Sequence, residues 1–167
     1  LGQDIYSKQS VPLGHYHHLD AINTIRRTGS IEKAVEQGRI TDGVMRSVIK
    51  NSIPYVLAGS IRDDGPLPEV TPDVYLAQDQ MRSITRRATT IIAMATQLHA
   101  IAAGNMAPSY KVLEDGRVRP VYFYTVDMSE FAVNKLANRG SLTARSILTN
   151  VQDFVVTVER GLLYTRP

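Results

Sequence analysis

Thr90-Ile91-Ile92-Ala93-Met94-Ala95-Thr96-Gln97-Leu98-His99 is the stretch that decides the fold. Its first five residues are β-branched or apolar, too few for a helix and dense enough for a buried strand. No glycine or proline follows. The chain passes straight into the helical segment Ala95–Met106, so a strand hands over directly to a helix.

The same order recurs on both sides. Upstream, Tyr55-Val56-Leu57-Ala58 is a short apolar run ending in Gly59-Ser60, which reads as a second buried strand. Thr71-Pro72-Asp73 then starts a helix reaching about Arg87, with an N-cap hydroxyl, a proline in the first turn and an acid facing the helix dipole. Downstream, Tyr110–Leu113 and Val118–Val126 are strand-like, and Asp115-Gly116 between them is a hairpin turn signal. The second of these ends at Asp127. Ser129 caps a helix carrying Phe131, Val133 and Leu136 and stopped by Gly140, and a last helix spans about Val151–Leu163. Strands alternating with helices predict an α/β fold, a mostly parallel sheet with helices on both faces. Antiparallel pairing near residues 109–124 is a local addition.

The opening of the chain is helical. Leu19, Ile22 and Ile25 share one face of a helix from about His17 to Thr28, stopped by Gly29. Ser30 starts a short helix ending at Gly38, and Thr41 or Asp42 caps a third that turns Val44, Val48 and Ile49 inward.

The bulk numbers exclude several classes. Hydrophobic residues are 43% and charged residues 21% of 167, a globular composition. Net charge is +3 with the signs mixed along the chain and no basic stripe interleaved with aromatics, so no nucleic-acid partner is expected. The absence of cysteine removes disulfides, thiolate metal sites and cysteine nucleophiles together. The most apolar stretch, Thr89–Ala107, contains Gln97, His99 and Asn105 and fails as a membrane span. Residues 1–12 carry no signal-peptide pattern, and a cytoplasmic setting is expected. His15, His17 and His18 invite a metal reading, but only Asp20 stands near as a carboxylate, and no metal is expected.

In open α/β sheets ligands bind beyond the carboxyl ends of the strands, where loops and helix N-termini converge. Three such ends are readable. Gly59-Ser60-Ile61-Arg62-Asp63-Asp64-Gly65-Pro66-Leu67-Pro68 places both signs of charge within three residues between glycines and prolines, either as a working loop or as a solvated turn whose charges pair locally. Ala95-Thr96-Gln97-Leu98-His99 offers helix-start amides and a hydroxyl to a phosphate or ribose, although a lone histidine such as His99 is commonly a satisfied core residue. Asp127, an acid at a strand's end, is how dinucleotide folds accept ribose hydroxyls, and it could equally cap the helix at Ser129. The G-x-G-x-x-G fingerprint is absent throughout.

Several segments resemble one family. They are Gly14-His15-Tyr16-His17-His18-Leu19, Ala34-Val35-Glu36-Gln37-Gly38, the block Val56–Pro68, Ala95–His99, Gly104-Asn105-Met106, and Val126-Asp127 followed by Lys135-Leu136-Ala137 and Arg139-Gly140-Ser141. The chain resembles the archaeal-type ornithine cyclodeaminases, also labelled lysine-oxoglutarate reductase/saccharopine dehydrogenase-like proteins, and the C-terminal module of arginine dihydrolase–ornithine cyclodeaminase fusions. The resemblance covers nearly everything from about residue 11 and corresponds to the C-terminal portion of family members. It implies a Rossmann-like, deoxyhypusine-synthase-like NAD-binding fold, which accounts for the missing glycine fingerprint. It implies NAD as cofactor, with contacts from Asp64, Thr96, Gln97, Leu98, His99, Asp127, Thr149 and Asn150. Most relatives carry aspartate where this chain has Asn150, and Ser109–Pro120 is longer than the family pattern.

The implied reaction converts L-ornithine to L-proline and ammonia without net redox change. Arg62 is a chemically sensible partner for the substrate carboxylate and Asp63 for its amine or as a base. The expected partners are an amino-acid substrate, further copies of the chain in a homo-oligomer, and an N-terminal portion, from the same polypeptide or a second chain, that completes the domain of which residues 1–167 are the C-terminal part. The rival readings are an opine- or saccharopine-type dehydrogenase and a non-catalytic NAD-binding module.

Overall fold

The sheet is centred on one buried strand, β4 (Tyr122–Asp127), in which Phe123, Thr125 and Val126 are shielded from water. The structure, a computed structural model, describes residue 4 and residues 7–59, 67–137 and 143–164. It divides into two compact units, Leu1–Gln80 and Met81–Pro167.

The second unit holds the sheet. β1 (Thr90–Met94), β4 and β5 (Ala144–Leu148) are all parallel, in the order β1-β4-β5. α5 (Gln97–Met106) packs on β1, and α6 (Glu130–Ala137) packs on β4 and β5. Both crossovers step the same way across the sheet, so right-handed connections put α5 and α6 on one face, where they touch. α7 (Val151–Tyr164) also contacts β4. The α/β architecture with a parallel sheet is thus as expected.

Three details differ from the sequence reading. β1 was expected buried and is half-buried, with Ile92 45% and Met94 40% exposed, because it has one neighbour among the described strands. The run Val118–Val126 is two strands. β3 (Val118–Pro120) pairs antiparallel with β2 (Tyr110–Val112) around Asp115-Gly116, and β4 begins after Val121. Pro120 has no N–H to continue a ladder, and the Val121 N–H turns to the Ser109 carbonyl at 3.0 Å. Finally, β5 was not foreseen, since exposed Arg145 and Ser146 break any alternation of apolar and polar residues.

The first unit is helical: α1 (Gly14–Thr28), α2 (Ile31–Glu36), α3 (Val44–Lys50) and the start of α4 (Val74–Thr85). Ile31 and Ala34 are buried. Ser30 caps α2 by accepting the Lys33 N–H at 3.0 Å, and Glu69 accepts the Ile31 N–H at 2.8 Å. Burial, with Glu69 and Glu32 beside it, raises the pKa of the Tyr55 hydroxyl above the usual tyrosine value. Ile22, Ile25, Val48 and Ile49 are half-buried as expected, but Leu19 and Val44 are exposed. α3 starts from Gly43 rather than a side-chain cap, because Asp42 spends its carboxylate on the Gly43 N–H. Asp73, not Thr71, caps α4 by accepting the Leu76 N–H at 2.8 Å.

Tyr55–Ala58 forms no ladder strand. It makes a single parallel bridge, Ala58 to Thr71, closed by Thr71 N–H to Leu57 O at 2.8 Å and Gly59 N–H to Thr71 O at 2.9 Å. The partner segment passes through Pro72, which has no N–H to pair, and enters α4 at Val74. A Cβ on Gly59 would lie 3.3 Å from the Thr71 carbonyl, so the close approach suits glycine.

Candidate functional site

Parallel pairing brings the carboxyl ends of β1, β4 and β5 to one edge of the sheet. The register keeps them level, with Met94 opposite Val126 and Asp127 opposite Leu148. Two hydrogen bonds carry the alignment one residue further, Ala95 N–H to Val126 O at 3.0 Å and Thr149 N–H to Asp127 O at 3.1 Å. The three connections that leave this edge enclose an open cleft of about 390 Å³. Ala95 walls it from β1, Asp127 and Met128 from β4, and Thr149, Asn150, Val151 and Gln152 from β5.

Ala95 has φ 53, a left-handed conformation that costs a non-glycine residue about 1–2 kcal/mol. It turns the chain from strand to helix within one residue. Thr96 follows as the N-cap of α5 and makes no side-chain cap bond. Thr96 and Gln97 are half-buried, while Leu98 and His99 are exposed on the first turn. These four expected contacts therefore stand beside the cleft, with Ala95 rather than any of them in its wall.

Asp127 shows the local bond that one of its two sequence readings expects. Its Oδ1 accepts the Ser129 N–H at 2.8 Å and so caps the approach to α6. Among the described residues no hydrogen bond reaches Oδ2. Asp127 is half-buried and is the one charged side chain among those lining the cleft. A single carboxylate in a small cleft suits a hydroxyl or ammonium donor and disfavours a second anion placed against it.

Thr149 is half-buried, and its hydroxyl has no partner among the described residues. Asn150 is the N-cap of α7. Its Oδ1 accepts the Asp153 N–H at 2.8 Å, its Nδ2 donates to Asp153 Oδ2, and its carbonyl accepts the Phe154 N–H at 3.1 Å. Arg62, Asp63 and Asp64 lie outside the described residues. Met128, Val151 and Gln152 were not foreseen, although Met128 directly follows Asp127 and the pair Val151-Gln152 directly follows Asn150, and reading the strand ends slightly further would have reached them. His15, His17 and His18 are exposed on α1, and among the described residues no three potential metal ligands converge. No described helix is long and apolar enough to cross a membrane.

The chain's likeness to known proteins runs through both units. Residues 1–158 match the family described as "Arginine dihydrolase ArgZ-like, C-terminal, Rossmann fold". The chain belongs to this family. It is similar to an archaeal protein, the ornithine cyclodeaminase of Methanocaldococcus jannaschii, 49% identical over 155 residues that cover 93% of this chain and 34% of that protein. A conserved LOR/SDH-type protein from Methanococcus maripaludis S2 has a crystal structure that superposes with TM-score 0.86 at 41% identity, covering 98% of this chain and 47% of that one. The ternary complex of AgrE with ornithine and NAD⁺ superposes with TM-score 0.85 at 41% identity, covering 99% of this chain and 23% of that one. This ArgZ-like domain thus spans about a third of the length of the M. jannaschii relative. The family resemblance and the Rossmann-like α/β fold read from the sequence both hold.

Proposed function

We propose that this chain is the NAD-binding part of an ornithine cyclodeaminase, with the cofactor held at the carboxyl edge of β1, β4 and β5. The observation that carries the reading is Asp127, a carboxylate lining the cleft at the end of the central strand, with one oxygen that no hydrogen bond reaches among the described residues. What supports it is the 41% identity to AgrE, a protein crystallised with ornithine and NAD⁺.

The residues fit part of a dinucleotide. Small-molecule pockets run to roughly 300–1,000 Å³, so a cleft of about 390 Å³ takes one nucleoside rather than the whole cofactor. Bound NAD supplies a hydride acceptor that can return what it takes. Asp127 Oδ2 accepts from the ribose hydroxyls, and the Thr149 hydroxyl serves as a second polar contact. The backbone amides of Gln97 and Leu98 at the start of α5 are assigned to the phosphates, with Thr96 and His99 flanking them. On chemistry alone, Arg62 is assigned to the substrate carboxylate, Asp63 to its amine and Asp64 to the cofactor. The reaction belongs to a protein that also contains the N-terminal portion present in the relatives, assembled as a homo-oligomer.

Incubation of the full-length protein with NAD⁺ and L-ornithine is expected to yield L-proline and ammonia, detected by mass spectrometry, with no lasting accumulation of NADH. The LOR/SDH description of the M. maripaludis structure favours one second reading, an amino-acid dehydrogenase. Stoichiometric NADH without proline would establish that reading in place of the first.

A further inference from the structure

We infer that Asn150 is a positioning residue, acting on the cleft through Asp153 and the first turn of α7. The inference rests on the assignment of NAD to this cleft.

Both ends of the Asn150 amide and its backbone carbonyl are engaged within α7. The carbonyl takes the Phe154 N–H, Oδ1 takes the Asp153 N–H, and Nδ2 donates to the Asp153 carboxylate. These bonds hold the side chain against the first turn of α7. The residues on either side of Asn150 line the cleft with it. Thr149 is tied to the end of β4 through its N–H to Asp127 O and lines the cleft. Val151 and Gln152 form the first helical positions of α7 and the wall beyond. Asn150 joins the two, and its cap determines where that wall stands relative to Asp127.

The pairing also fixes the residue type. Asp153 presents a backbone donor and a side-chain acceptor, and an amide answers both. An aspartate at 150 would keep the acceptor for the backbone N–H but would set a second carboxylate against that of Asp153. A serine would keep the acceptor and lose the donor. The inverted pair, with aspartate at 150 and asparagine at 153, would restore the reciprocal arrangement with the same total charge.

The test is a calorimetric titration of NAD⁺ into the full-length protein and four variants, each with a thermal melt. Asn150→Ala should weaken NAD⁺ roughly fivefold, because an uncapped first turn is formed only part of the time and binding draws on the formed fraction. Asn150→Asp should weaken it at least as much. Asn150→Ser should stay within about twofold of the native protein, and the double variant Asn150→Asp/Asp153→Asn should recover to a similar level. Two results would overturn the inference. Unchanged affinity in Asn150→Ala would mean that the cap does not govern the cleft. Loss in Asn150→Ser and in the inverted pair equal to that in Asn150→Ala would mean that the amide itself touches the cofactor. If the native protein does not bind NAD⁺, the assignment of the cleft fails first, which separates that outcome from the other two.

Discussion

Asp127→Ala is expected to weaken NAD⁺ binding by at least tenfold in a protein that still folds. A hydrogen bond to a charged acceptor contributes about 1.5–3 kcal/mol, and tenfold corresponds to about 1.4 kcal/mol, so one lost ribose contact suffices. The alanine also removes the Oδ1 bond to the Ser129 N–H and should lower stability by the amount usual for a lost cap, about 1 kcal/mol, seen as a lower melting temperature. Asp127→Asn separates the two effects. It keeps an acceptor for Ser129 and removes the negative charge, so the melting temperature should hold while NAD⁺ still weakens. The 2′-phosphate of NADP would be set against this carboxylate, so the native protein should prefer NAD⁺, and the preference should narrow in Asp127→Asn. Calorimetry with both cofactors checks the pair. Unchanged NAD⁺ affinity in both variants would reduce Asp127 to a helix cap.

The second large effect concerns stability. Phe123 is 4% exposed in the central strand, between β1 and β5, on a sheet held by few other fully buried residues. Phe123→Ala should cost about 3–5 kcal/mol, the range for deleting a buried aromatic ring where the surroundings cannot collapse. Since a domain's entire margin is about 5–15 kcal/mol, urea denaturation should show a transition shifted far towards lower denaturant or lost altogether. A cost below about 1 kcal/mol would mean that β4 is not the centre of the core.

What could be read in advance follows from where the physical signal is dense. The passage from Met94 to Gln97 and the stop at Asp127 were legible because apolar runs meet helix starts with nothing between them. The hairpin at Asp115-Gly116 was legible because positive φ at Gly116 is what such a turn needs. β5 was not, because a strand with one described neighbour tolerates Arg145 and Ser146 in water and so shows no pattern. Tyr55–Ala58 looked like a ladder strand, but its pairing is limited by a partner that passes through Pro72 into α4, which no local pattern at 55–58 records. At the site, the residue types at 127, 149 and 150 were readable and their division of labour was not. Only the hydrogen bonds show that Asn150 binds Asp153 while Asp127 binds the Ser129 N–H through Oδ1 alone among the described residues.

The most direct test of the central claim uses L-ornithine carrying deuterium at its α-carbon, supplied to the full-length protein with NAD⁺. If the cleft serves a cyclodeaminase, the hydride leaves and returns within one turnover, and the proline formed should keep its deuterium at the α-carbon. Proline that has lost the label, or deuterium accumulating in reduced cofactor without any proline, would contradict the account.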